Sequence, residues 1–76
     1  MKELLQTIVE SLVTKPEAIE ISETAGETMT IFELRVAKED LGRVIGREGH
    51  TVQSIRTILQ AVAARNSRKV TLEIVA

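Results

Sequence analysis

No cysteine occurs in the 76 residues. That excludes disulfides, thiolate metal sites and cysteine nucleophiles, and it fits a reducing compartment. A single histidine, His50, argues against a zinc or iron centre, because such centres usually draw on several imidazoles or thiolates. Tryptophan and tyrosine are absent and Phe32 is the only aromatic residue. A protein that grips nucleic acid by stacking bases on aromatic rings is therefore essentially excluded. No run approaches the roughly 18 consecutive apolar residues of a membrane span, and the Met1-Lys2-Glu3 start lacks a signal-peptide stretch. The expectation is a soluble, cytoplasmic chain.

What is present is ordinary in amount but uneven in placement. Hydrophobic residues make up 43% of the chain, enough for one thin core at this length, and the formal net charge of −1 points to no partner. The two halves differ, however. Residues 1–33 carry Lys2 and Lys15 against seven glutamates, a balance of −5, whereas residues 34–76 carry eight basic side chains against four acidic ones, a balance of +4. Such asymmetry is a hint of an anionic partner for the basic half, though two solvated surfaces of unlike sign would read the same way.

The apolar pattern divides the chain into six elements. Leu4, Leu5, Ile8, Val9, Leu12 and Val13 recur at helical spacing and predict a helix over 2–14 that Pro16 stops. Ile19 and Ile21 alternate with polar residues in a strand at about 17–23, and residues 24–28 form a hairpin connection. A second strand at 29–36 places Thr30, Phe32, Leu34 and Val36 on its inner face. Lys38–Ile45 has room for two helical turns, with Glu39 and Asp40 suited to their positive end. A longer helix over about 49–64 buries Val52, Ile55, Ile58, Leu59, Val62 and Ala63, with Asn66 as the left-handed residue that ends it. The last strand, 69–75, turns Val70, Leu72 and Ile74 inward. The order α-β-β-α-α-β predicts an α+β fold: an antiparallel pair extended by a parallel strand into a three-stranded mixed sheet, with the helices on one face.

The informative segment is Leu41-Gly42-Arg43-Val44-Ile45-Gly46-Arg47-Glu48-Gly49-His50-Thr51-Val52-Gln53-Ser54-Ile55-Arg56. Two glycines three apart stand between a short helix and the start of a longer one. Glycine permits a sharp turn and a close approach of another backbone. The free N–H groups at the second helix's N-terminus favour an anion such as a phosphate, and Arg43 and Arg47 add positive charge. A ligand-free glycine corner would use the same two glycines.

The longer string resembles the KH domain, whose signature is a Val/Ile-Ile-Gly-x-x-Gly loop between two helices, often followed by Ile-Arg. Gly42 through Gly49 and Val52-Gln53-Ser54-Ile55-Arg56 match it, and the element order is similar to the bacterial type II arrangement, so that 1–76 would form a single KH domain. The resemblance implies a loop that clamps the backbone of about four single-stranded RNA nucleotides over an aliphatic groove, with no need of aromatic platforms. By matching position Gly46, Arg47, Glu48 and Gly49 are that loop, Val44 and Ile45 lead into it, and Arg43, His50 and Arg56 are flanking contacts. It also implies a role in post-transcriptional regulation or as an RNA chaperone, no cofactor, and pairing as a homodimer or as a heterodimer with a larger KH-containing protein. Glu48 departs from the pattern with a carboxylate in the loop, and His50 stands where arginine or lysine is usual; both lower the expected affinity.

Other readings are set beside it. A protein–protein adaptor with weakened RNA binding would suit Glu48 and the acidic first half. Ile31 and Val75, on the outer sheet face, mark either a dimer contact or isolated exposed apolar residues. Arg65, Arg68 and Lys69 bracket the turn after the long helix, as a solvated cap or as an RNA edge. An enzyme is the least supported: no nucleophile–base pair or metal set is present, and Gly46-x-x-Gly49 lacks the Gly-Lys-Ser/Thr continuation of a phosphate-binding P-loop.

Overall fold

The fold is built on β2 (Met29–Arg35), where residues alternate strictly between burial and exposure. Period-two alternation puts Thr30, Phe32 and Leu34 on one face, and that face meets the helices. β1 (Glu20–Ala25) pairs antiparallel with β2 in the register Ile21 to Leu34 and Glu23 to Phe32. β3 (Lys69–Val75) pairs parallel with it, Thr30 to Val70 and Phe32 to Leu72. The order β1-β2-β3 makes the mixed three-stranded sheet that the sequence predicts, in an α+β fold. A computed structural model describes residues 1–75 of the chain.

Three helices cover one face of the sheet: α1 (Lys2–Glu10), α2 (Leu41–Ile45) and α3 (His50–Arg65). Leu5 and Val9 of α1, Phe32 and Leu34 of β2, Val44 of α2, and Leu59 and Ala63 of α3 are completely withdrawn from water. Phe32, at the sheet centre, is the largest of them, and burial of such a side chain contributes roughly 1.5–3 kcal/mol.

Several boundaries differ from the sequence expectation for physical reasons. α1 ends at Glu10 rather than residue 14, where the Ser11 hydroxyl donates to the Ile8 carbonyl at 2.6 Å. The amides of Thr14 and Lys15 then donate to the Asp40 carboxylate instead of continuing the helix. Pro16 opens a single 3₁₀ turn over Pro16–Ala18, so β1 begins at Glu20 and not at 17. The segment 38–45 is split as well, a 3₁₀ turn over Lys38–Asp40 preceding α2. Asp40 does not act at a solvated helix start: its side chain is buried.

Two expectations about α3 are corrected. Ile58 is 45% exposed, outside the buried stripe of Val52, Ile55, Leu59 and Ala63. The nine residues of α1 make a covering helix only about 13 Å long, against about 24 Å for α3. The left-handed residue at the helix end is Ser67, with φ 57°, rather than Asn66 at φ −106°. Ser67 N–H donates to the Ala64 carbonyl at 3.1 Å and Arg68 N–H to that of Ala63 at 2.9 Å. That pair of bonds requires the left-handed residue one position after the cap, which Asn66 itself occupies.

The other face of the sheet carries no helix. Met29 and Ile31 are exposed there, Val75 is half-buried, and Glu33 sits directly beside Glu73 in the parallel register.

Candidate nucleic-acid interface

α2 is five residues long and ends because Gly46 adopts φ 78°, ψ 173°, a conformation open essentially to glycine alone. The next turn closes by a Gly49 N–H to Gly46 carbonyl bond of 3.1 Å. Within it Glu48 (φ 56°, ψ 23°) and Gly49 (φ 77°, ψ 11°) are consecutive left-handed residues, and α3 begins at His50. The two glycines serve different ends. A Cβ at position 46 would collide with the Thr51 side chain and lie 2.8 Å from its backbone nitrogen, whereas one at position 49 would meet nothing within 4 Å. Gly46 is required by a close approach and Gly49 by its dihedral angle alone.

No side chain caps the N-terminus of α3. The His50 N–H donates to the Arg47 carbonyl, and the positive end of the helix lies beside a loop on which Arg47, Glu48 and His50 are exposed. α3 carries no carboxylate along its whole length, HTVQSIRTILQAVAAR. Among the described residues Arg47 and Glu48 enter no ion pair, so both charges of the loop remain open to solvent.

The remaining site candidates are spread around this corner. Val44 is buried beneath the loop as part of the core, while Ile45 is exposed at its entrance. Arg43 is exposed and directs Nε toward Asp40 at 3.7 Å. Arg56 lies further along α3 and donates from Nε (3.2 Å) and Nη2 (3.0 Å) to the Leu72 carbonyl of β3, tying the helix to that edge strand. The structure therefore brings Arg43, Ile45, Arg47, Glu48 and His50 together at one corner and places Arg56 against the sheet.

One residue of consequence for the site escaped its correct reading in the sequence. Asp40, immediately before α2, accepts from the Thr14 amide (3.0 Å), the Thr14 hydroxyl (2.9 Å) and the Lys15 amide (3.1 Å). The backbone bond from Thr14 is the chief reason its carboxyl lies below the usual aspartate range, against the opposing effect of burial. Lys15 closes a 2.7 Å surface pair with the neighbouring Glu39; the hydrogen bond between them lowers the Glu39 pKa and raises that of Lys15. Nothing in the local pattern of Lys38-Glu39-Asp40 separates a helix-start carboxylate from one that reaches back 26 residues.

Among the described residues no group of three His, Asp or Glu side chains is arranged to hold a metal, and no helix is long and apolar enough to cross a membrane.

Comparison with known proteins agrees with this geometry. The family model for the KhpA/KhpB KH domain matches residues 2–74. The chain is 51% identical over 74 residues to a protein of Chlamydia trachomatis serovar D named RNA-binding protein KhpA, covering 97% of this chain and 95% of the relative. It is 45% identical over 75 residues to the RNA-binding protein KhpA of Clostridium acetobutylicum, covering 99% of this chain and all of the relative. Among solved structures, Era in complex with MgGDPNP and a segment of 16S ribosomal RNA superposes with a TM-score of 0.55 at 23% identity. The match covers 95% of this chain and 28% of Era, and it shows a shared fold.

Proposed function

Because the chain belongs to the KhpA/KhpB KH-domain family, we propose that it is a single-stranded RNA-binding protein whose Gly46-Arg47-Glu48-Gly49 loop clamps the RNA backbone. As a member of that family it is a binding module and not an enzyme. The observation that carries the reading is the loop itself. Gly46 lets the chain pass against Thr51, and two left-handed residues then lead into the start of α3, which no side chain caps. That corner offers backbone donors to a phosphate with Arg43 and Arg47 beside it, and Ile45 supplies an aliphatic edge for a base. No aromatic residue is needed for such a grip, in keeping with a chain whose one aromatic side chain is fully buried.

In this reading the single domain works in the cytoplasm in post-transcriptional regulation or as an RNA chaperone. One short groove with few phosphate contacts binds modestly, and pairing as a homodimer, or with a larger KH-containing protein, raises avidity. The test is a titration of single-stranded RNA with wild type and with the double variant Arg47→Asp, Glu48→Asp. The variant is expected to lose binding while its circular dichroism stays that of the folded chain; equal affinity would reject the loop as the clamp.

A second reading, a protein–protein adaptor, draws on the helix-free sheet face with its exposed Met29 and Ile31. The two readings part on salt. RNA binding weakens steeply as salt rises, through counterion release. A stable protein complex with no RNA binding at low salt would favour the adaptor.

A further inference from the structure

At the opposite end of α3 from the loop lies a cavity of about 340 Å³ lined by Met29, Gln60, Ala64, Arg68, Lys69 and Val70. We propose that this cavity is a second nucleotide subsite, taking the base and phosphate of a nucleotide further along the same RNA strand that the loop holds. The inference rests on the reading of the loop as an RNA clamp.

Three features support it. The first is continuity. Gln53, Thr57, Gln60 and Ala64 are all exposed and follow one another at intervals of four, three and four residues. They therefore form one uncharged stripe along α3, from the loop to the cavity, with no carboxylate on the helix to repel a strand laid over it.

The second is the chemistry of the walls. Ala64 and Val70 give an apolar lining, closed at the end of β2 by Met29, to a volume within the range of small-ligand pockets. The Gln60 side-chain amide makes no hydrogen bond to the chain among the described residues, which leaves both a donor and an acceptor for a base edge.

The third is charge. Arg68 is fixed by bonds to the carbonyls of Gly26 (3.0 Å), Glu27 (3.1 Å) and Met29 (3.3 Å) and to Thr30 Oγ1 (3.0 Å). Every one of those acceptors is neutral, so the guanidinium orders the wall and its positive charge stays uncompensated. Lys69 stands exposed beside it and enters no ion pair among the described residues. An apolar slot with one free amide and two cations suits a nucleotide better than a purely apolar ligand.

The spacing sets the length of RNA involved. Gly49 and Ala64 are fifteen residues apart, about 22 Å along the helix. A stacked strand advances about 3.4 Å per nucleotide, so the roughly four nucleotides held at the loop stop short of the cavity and a strand of about eight reaches it.

The experiment measures binding of labelled random-sequence RNA, four and eight nucleotides long, to the full chain and to Ala64→Glu and Lys69→Gln, with complex stoichiometry followed by analytical ultracentrifugation. Ala64 is an exposed helical position, so the substitution tests the cavity without cutting into the core. Its added charge lies more than a Debye length, about 8–10 Å, from the loop. With Ala64→Glu the octamer is expected to bind about tenfold more weakly and the tetramer unchanged. With Lys69→Gln the logarithmic salt slope for the octamer alone should fall by about 0.7, the value of one phosphate contact. An octamer indifferent to both substitutions, or one that gains its affinity by binding two chains, would overturn the subsite and leave the clamp standing. Tetramer binding that ignores the loop variant Arg47→Asp, Glu48→Asp would overturn the clamp, and the subsite with it.

Discussion

The carboxylate of Asp40 holds Thr14 twice, by its amide at 3.0 Å and by its hydroxyl at 2.9 Å, across 26 residues of sequence. The same carboxylate takes the Lys15 amide and faces Arg43 of the short helix that carries the glycine loop. The segment leaving α1 is thereby fastened to the base of the candidate RNA corner. Asp40→Ala would leave those amides without their buried acceptor, and the thermal midpoint should fall by several degrees. In a double-mutant cycle with Thr14→Val the two losses should fall short of additive by the one hydroxyl bond they share, because Thr14→Val leaves the Thr14 and Lys15 amide donors in place. Additive losses in thermal denaturation would refute the bond from the Thr14 hydroxyl.

The Asp40 contact with Thr14 and Lys15 should also weaken in acid. Its carboxyl binds a proton less readily in the folded chain than in the unfolded one, so as pH falls the unfolded chain takes up that proton first. The contribution of this contact is complete above the ordinary aspartate value of about 3.8 and is lost as pH drops through the lower folded value. Melting curves of wild type and Asp40→Asn should keep a constant separation from neutral pH to about 5 and converge below about 3.8. A separation unchanged down to pH 2 would contradict this.

The two loop glycines should differ in cost. Gly49→Ala meets open space and bears only a left-handed alanine, about 1–2 kcal/mol. Gly46→Ala adds a collision with Thr51 in a backbone region closed to side chains, and should lose at least about 1 kcal/mol more. Thr51→Ala should restore only part of that loss, since the Thr51 backbone nitrogen still lies 2.8 Å from the added carbon. Urea unfolding of the three variants measures each difference.

Glu48 combines a left-handed backbone with a negative charge in a loop proposed to meet phosphate. Glu48→Asn should relieve the first, because asparagine tolerates that region better than glutamate, and remove the second. Stability should rise slightly, and affinity for single-stranded RNA should increase about fivefold, the equivalent of about 1 kcal/mol for one unfavourable charge near a phosphate. The gain should shrink at high salt. Anisotropy titrations at two salt concentrations would detect it, and an affinity that drops on losing the carboxylate would count against phosphate at this loop.

Much of the fold could be read locally. Thr30, Phe32, Leu34 and Val36 were assigned inward from alternation alone, and all four are buried. The bounds of β3 agree to the residue. Elements ended by tertiary bonds were less legible. α1 stops early because Thr14 and Lys15 turn to Asp40, and Ile58 stays exposed outside the buried stripe of Val52, Ile55, Leu59 and Ala63. At the candidate site the glycine loop was legible down to its residues. The present position of Arg56 was not, since its partner is a main-chain carbonyl 16 residues away and carries no side-chain signature.

The absences noted at the outset act through this geometry. A chain without cysteine, tryptophan or tyrosine must make its contacts with aliphatic surface, backbone and charge, and its sequence alone determined which strand faces are buried, the order of elements and where the chain turns on glycine. Those properties follow from periodicities of two and 3.6 residues and from local dihedral preference, all written in neighbouring positions. Only the tertiary structure decided what the charged side chains do. Asp40 is fastened to Thr14, Arg56 to β3, and Arg68 to the β1–β2 connection some 40 residues away, while Arg47 is left facing solvent. A long flexible side chain takes whichever acceptor the packed chain brings within reach, and that acceptor exists only once the sheet and helices have closed around it.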